Sequence, residues 1–170
     1  MLIRSYTLVQ SIVIASVKER VWQEITQVDI VTAKHPALLR LFGIPKPLRA
    51  EMRVVGEGGE RIAFFANGLR FVQRISTWLP GQRYAFRFQP DPGFRVAYCF
   101  DLSKGPFQIV SGSYELQEHP NGIELLLASH YTLRGVIGNL IALPVWLLMR
   151  IYQNFLLQSI RANCEQNALA

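Results

Sequence analysis

The sequence predicts an α+β fold: an antiparallel sheet of about seven strands, two short helices after the first strand, and a long C-terminal helix. Three observations lead there. Near the N-terminus a strand pattern rich in Ile and Val runs straight into an amphipathic helical pattern. Six further strand patterns follow, mostly joined by short turns, so antiparallel hairpins are expected. From about Gly135 to Gln166 the chain carries one long helical pattern.

Residues 11–15 read as the first strand. Ser16, with Glu19 three residues on, has the spacing of a capping box, in which each side chain reaches an orphan amide of the other. Val17, Val21, Ile25 and Val28 then share a helical face, with Trp22 beside them, so the helix is expected to end near Asp29. Pro36 suits a helix start, and residues 37–42 form a second short helix closed by Gly43, Pro45 and Pro47. The apolar segment Leu38–Ile44 reads as a packed connector or as a gate over an apolar opening.

Strands are then expected in AEMRVV, RIAFFAN, LRFVQRISTWL, RYAFRFQ, FQIVSGSYELQ and IELLLASHYTL. The stretch 90–108 is looser than a simple hairpin. GEGGE joins two strands instead of opening a helix, so it is not a phosphate loop. No repeat or linker divides the chain, and residues 1–170 are expected to form one domain.

Half of the 170 residues are hydrophobic and 18% are charged. That excludes disorder and suggests more apolar surface than a compact core needs, as a cavity or a membrane-facing patch would supply. The net charge of +6 comes from 14 Arg and 4 Lys against 12 acids. The arginines are spread out, with no basic run, which argues against nucleic acid as a partner. Cys99 and Cys164 have no metal-ligand spacing and read as free, mostly buried thiols. The N-terminus lacks a continuous apolar core, and a cytoplasmic protein is expected.

Strand alternation assigns an outer face to the charges. Glu51, Arg53, Arg61, Arg70, Arg74, Arg87, Glu115 and Glu124 face out. The covered face then holds Met52, Val54, Ile62, Phe64, Phe71, Gln73, Ile75, Thr77, Tyr84, Phe86, Phe88, Val110, Gly112, Tyr114, Leu116, Leu125, Leu127, Ser129 and Tyr131. Its polar members bond one another in a tight core, or bond a ligand in a cavity; alternation fits both. A bulge would flip parts of this assignment.

The order of elements, with IVIASVKERVWQEITQVD, RVVGEGGE and GSYELQEHPNGIELLLASHY, resembles the START-like, polyketide-cyclase (SRPBCC) superfamily over essentially the whole chain. The resemblance implies a helix-grip fold, a curved sheet wrapped around the C-terminal helix with an apolar cavity between them. It implies binding of a lipid, polyketide or other apolar molecule, and carries no universal catalytic motif. The expected ligand-binding residues are Met52, Phe64, Phe71, Gln73, Ile75, Thr77, Tyr84, Phe86, Tyr114, Leu127, Ser129 and Tyr131 from the strands, with Leu148, Tyr152 and Phe155 from the last helix. No cofactor or metal is expected. A cyclase/dehydratase reading would use Tyr84, Tyr114, Tyr131 and Tyr152 to orient or polarise a carbonyl. A third reading is a peripheral membrane protein.

His35 and His119 precede proline and read as surface residues, and His130 points outward with Glu124. The charge-free run Gly135–Met149 is shorter than the roughly 20 residues of a membrane span. Arg150, Asn154, Gln158, Arg161 and Glu165 form a polar stripe beyond it, so the second half is a surface helix with one buried face. Pro144 is expected to kink or interrupt the helix, and Val136–Leu143 to close one end of the cavity.

Overall fold

The computed structural model describes residues 2–166. Strand β1 (Ile3–Ile14) is followed by helices α1 (Lys18–Thr26) and α2 (Ala37–Leu41). Then come β2 (Pro47–Val54), β3 (Glu60–Phe65), β4 (Arg70–Leu79) and β5 (Arg83–Pro90). A small hairpin, β6 (Arg95–Val96) with β7 (Phe100–Asp101), precedes β8 (Phe107–His119) and β9 (Gly122–Arg134). Helices α3 (Gly135–Leu140) and α4 (Ala142–Gln166) end the described chain. Seven strands form one antiparallel sheet in the order β1-β9-β8-β5-β4-β3-β2, and β6 and β7 pair separately. The expected α+β architecture is therefore present, with its seven-stranded sheet, two short helices after β1 and long C-terminal helix.

Two local expectations fail. Helix α1 starts later than the capping box requires: its N-cap is Val17, and no side chain caps it. Ser16 instead lies in the turn out of β1, its amide on the Ile14 carbonyl. The helix also stops at Thr26, and Asp29 bridges to Arg49 beside β2. The C-terminal helical pattern is interrupted near Pro144 as expected, at Ile141, three residues before the proline. A proline ring clashes with the carbonyl four residues back, here Leu140. Restarting at Ala142 puts Pro144 in the first turn of α4, where a missing N–H costs nothing.

Inner and outer faces follow the expected alternation only where the ladder is regular. In β9, Ile123, Leu125, Leu127, Ser129, Tyr131 and Leu133 are buried, and in β5 Tyr84 and Phe86 are. Three bulges reverse the parity elsewhere. One between Ile75 and Thr77 turns Trp78 inward against Trp22 and Tyr84, so Thr77 pairs with Ala85 away from them. One between Ile109 and Ser111 leaves Val110 exposed. One between Met52 and Val54 exposes Val54.

The largest correction is β3. The loop after it closes with Phe65 bonded to Leu69, and Gly68 adopts φ +80°. This three-residue connection pairs Arg61 with Gln73 and Ala63 with Phe71. Cross-strand partners share a face, so Arg61, Ala63 and Phe65 point inward. Phe64 lies on the other side, 5.0 Å beneath the Arg49 guanidinium.

Ser16→Ala is expected to change stability by less than about 0.5 kcal/mol in urea denaturation, where a true N-cap would cost about 1 kcal/mol.

Candidate ligand cavity

A cavity of about 360 Å³ lies between the sheet and α4. Its aromatic wall comes from strand residues and the loop before β6. Phe65, Phe71, Phe86, Phe88 and Phe94 pack ring on ring, with centroids 4.4 Å apart for Phe71 and Phe94 and 5.0 Å for Phe65 and Phe71. Leu148, Met149, Tyr152 and Leu156 line it from α4. Phe42 and Pro144 line it and are also exposed, which places its mouth where α2 faces the start of α4. Gly112 keeps the wall open beside Phe86, since a Cβ there would sit 2.9 Å from the Phe86 ring.

The cavity is polar at one end. Arg61 is only 3% exposed and donates to the carbonyls of Ile25 (3.0 Å) and Thr26 (3.3 Å), and to Oε1 of Gln73 (2.7 Å). These carbonyls end α1, where the helix dipole favours a cation. The Tyr84 hydroxyl donates to the same Ile25 carbonyl at 2.6 Å, and its ring lies 5.5 Å from that of Tyr114. Among the described residues no carboxylate pairs with Arg61. Tyr114 and Tyr152 line this region, and no side-chain hydrogen bond between described residues engages either hydroxyl. Burial raises the pKa of both, against a smaller lowering by Arg61, so both stay protonated at neutral pH. Tyr152 is eight residues along α4 from Pro144, about 12 Å at the helical rise. The mouth and the polar region are thus separated along the helix.

Further polar groups in the wall are already satisfied. Gln153, almost fully buried, donates to Ser129 Oγ (2.8 Å) and to the Leu8 carbonyl (3.1 Å), and accepts from Gln10 (3.1 Å). This network holds α4 to β1 and β9.

Of the residues expected to contact a ligand, Phe71, Gln73, Phe86, Tyr114, Leu127, Ser129, Leu148 and Tyr152 line the cavity. Met52 and Ile75 pack in or against the core beyond it, and Phe64 and Thr77 are turned away by the β3 register and the β4 bulge. Tyr84 is spent on the Ile25 carbonyl. Tyr131 stacks on Tyr6 at 5.3 Å, and Phe155 is buried near His35. Arg61 and Gln153 were missed. Its charge points Arg61 outward, and the one signal against this is the hairpin register that pairs it with Gln73. Gln153 gave none beyond lying between Tyr152 and Asn154 on a mixed helix.

The histidines and cysteines lie outside the polar end. His130 is exposed and bonds Thr7, and His119 accepts from the Asn121 amide within its turn. His35 is less of a surface residue than expected: its Nε2 is buried without a partner among the described residues, and burial, aided by Lys46 and Arg40, lowers its pKa. Cys164 is buried and its thiol is pushed up to about 12, mainly by burial, whereas Cys99 is exposed, against expectation. No metal-binding cluster occurs among the described residues.

Segment Leu38–Ile44 is tied to the β6–β7 hairpin. Tyr98, at φ +64° on the hairpin tip, donates to the Leu41 carbonyl at 2.9 Å. Gly43 sits beneath its ring at φ +62°, and a Cβ there would fall 2.8 Å from ring carbons. Gly43→Ala is therefore expected to cost about 1–2 kcal/mol from the left-handed backbone alone. It should also raise amide exchange across residues 95–101; unchanged exchange there would refute the tie.

No family model and no curated protein matches this chain. Solved structures do. The di-domain ARO/CYC StfQ from the steffimycin biosynthetic pathway superposes with TM-score 0.60 at 13% identity, over 98% of this chain and 52% of StfQ. Ara h 8.0201 gives 0.58 at 10% identity, covering 96% of this chain and 99% of its own. Protein CV1439 from Chromobacterium violaceum gives 0.54 at 20% identity, covering 94% and 96%. At such identities the likeness is one of fold, and the fold it shows is the helix-grip arrangement of sheet and C-terminal helix.

Proposed function

We propose that the protein binds a small apolar or amphipathic molecule in the cavity between the sheet and α4, with residues 1–170 acting as one binding unit. The observation that carries this reading is the lining: an aromatic and aliphatic wall around about 360 Å³, with a few polar groups gathered at one end. Small-molecule sites have this composition and size. Binding is favoured over cyclase chemistry because two of the four tyrosines that chemistry would use, Tyr84 and Tyr131, do not line the cavity. The reading places the protein in the cytoplasm, a reducing compartment in which Cys99 and Cys164 stay free thiols.

The test is a neutral fluorescent probe, N-phenyl-1-naphthylamine, titrated into the purified protein. Saturable binding is expected, and Leu148→Trp, which fills the wall beside Tyr152, should weaken it by about tenfold or more. Equal binding by both proteins would place the probe elsewhere and refute the reading.

A second reading concerns where the ligand comes from. Val136, Leu140 and Leu143 are 75%, 76% and 73% exposed, so of the segment expected to close the cavity Ile141 lines it while α3 and the start of α4 turn these apolar side chains to solvent. Leu41 and Phe42 are exposed on α2 and just after it. The Arg150 guanidinium lies 5.3 Å over the Trp146 ring at the edge of this surface. No helix among the described residues is long and apolar enough to cross a membrane. This surface would instead rest on one, with its arginines toward anionic headgroups. Flotation with phosphatidylserine-containing liposomes at low salt should carry the protein upward, and Leu140→Glu with Leu143→Glu should abolish this. Flotation unaffected by the pair would exclude the surface.

A further inference from the structure

We infer that the ligand is an amphipathic anion: an apolar body carrying one acidic head, a carboxylate or a close equivalent, seated against Arg61. The inference deepens the binding reading above and rests on it. Its basis is a charge without a counter-charge. Arg61 is 97% removed from solvent by its 3% exposure, lines the cavity, and meets only carbonyl-type oxygens. A guanidinium keeps its charge in a protein and carries more N–H donors than the three engaged here. A buried ion is stable when an opposite charge or a full set of hydrogen bonds replaces water. The end of α1 supplies a partial negative charge, which holds the group in place without neutralising it.

The surrounding groups are donors too. The Gln73 carbonyl oxygen is taken by Arg61, which leaves its amide N–H groups for the cavity. The hydroxyls of Tyr114 and Tyr152 have no partner among the described residues and line the same cavity. Arg61 and Tyr84 meet on one carbonyl, and the Tyr84 ring lies 5.5 Å from that of Tyr114, so the guanidinium and the Tyr114 ring are brought to the same end. Four donors of this kind, with no acid among them, suit an acceptor that offers several lone pairs. A neutral hydroxyl or ester would leave the charge unmatched; a carboxylate would match it with charge-assisted bonds. The apolar wall toward Phe42 and Pro144 takes the rest of the molecule.

The test displaces bound N-phenyl-1-naphthylamine with decanoate, decan-1-ol and methyl decanoate, which share an apolar chain and differ at the head. Wild-type protein should prefer decanoate by roughly tenfold or more, the worth of a hydrogen bond to a charged group. Decyl phosphate is a fourth arm: displacement as good as decanoate widens the head to phosphate, and weaker displacement fixes it as carboxylate, both in keeping with an anion. Arg61→Gln should erase the difference between decanoate and the neutral compounds. Should that variant fail to fold, Tyr152→Phe, which removes only a cavity hydroxyl, should narrow it. Displacement by decanol and the ester as good as by decanoate, in wild-type protein, would overturn the anion while leaving the cavity reading intact. A probe that does not bind at all would overturn both.

Discussion

The buried guanidinium of Arg61 is the constraint on which the inner half of the structure depends. Hydrophobic patterning alone favours a different β3, with Ile62 and Phe64 inside and Arg61 in water. A slip of one residue in the β3–β4 hairpin would produce it. The observed register instead buries a cation, and it is paired with a precise set of partners: the two carbonyls that end α1, and Gln73 directly across the ladder. Those bonds fix where α1 stops and how it sits on the sheet. Tyr84, at the same carbonyl, joins β5 to the arrangement. Removing the arginine would orphan backbone oxygens in a dry interior, so the same group that offers charge to the cavity also holds its wall.

Helix α4 is divided in a way that complements this. From Arg150 onward it is tied by polar contacts: Gln10 to the Arg150 carbonyl, Gln153 to β1 and β9, Asn163 to Glu24 and the Asp29 carbonyl, and Glu165 to the Ala15 amide. Burial raises the Glu24 pKa, and the Asn163 bond offsets part of that. Among the described residues, the first two turns carry no such ties to the sheet. They hold Pro144, Val145 and Leu148 on the cavity and Leu143, Trp146 and Leu147 toward solvent. The fastened part of the helix packs on the sheet and carries the inner cavity wall at Tyr152 and Leu156, and the first two turns form the mouth. Apolar contact is non-directional, so that mouth can change shape at less cost than a hydrogen-bonded one.

The order of elements was legible because it rests on patterns several residues long. The two short helices, the long strands of the sheet and the apolar C-terminal segment all survive an error of one or two positions. The cavity lining was less legible because it rests on parity, which a single residue reverses. Thr77, Val110 and Val54 each follow or occupy a bulge, and no residue type there announces one. On β3 the alternation is regular, and Phe64 and Arg61 change places because the hairpin register, not the charge, decides which face is inner. Residues on the unbroken β1–β9 ladder, such as Leu127 and Ser129, fall where alternation puts them. Parity is thus dependable within a regular stretch and uninformative across its interruptions.

Charge misleads in a different way. Assigning every arginine to the outer face is sound where the alternative is an unpartnered ion in hydrocarbon. It fails where the fold supplies oxygens that the sequence does not display, and the end of a helix is such a source. The carbonyls of Ile25 and Thr26 have no intrahelical donor and must find one. Arg61 meets that need with two bonds and makes its third to Gln73 across the ladder. The two demands are satisfied together only if α1 ends above β3, which requires the connection through α2 and β2 to bring the chain back beneath it. A local rule about charge therefore gives way to a long-range pairing of needs, and the cavity inherits its polarity from that pairing.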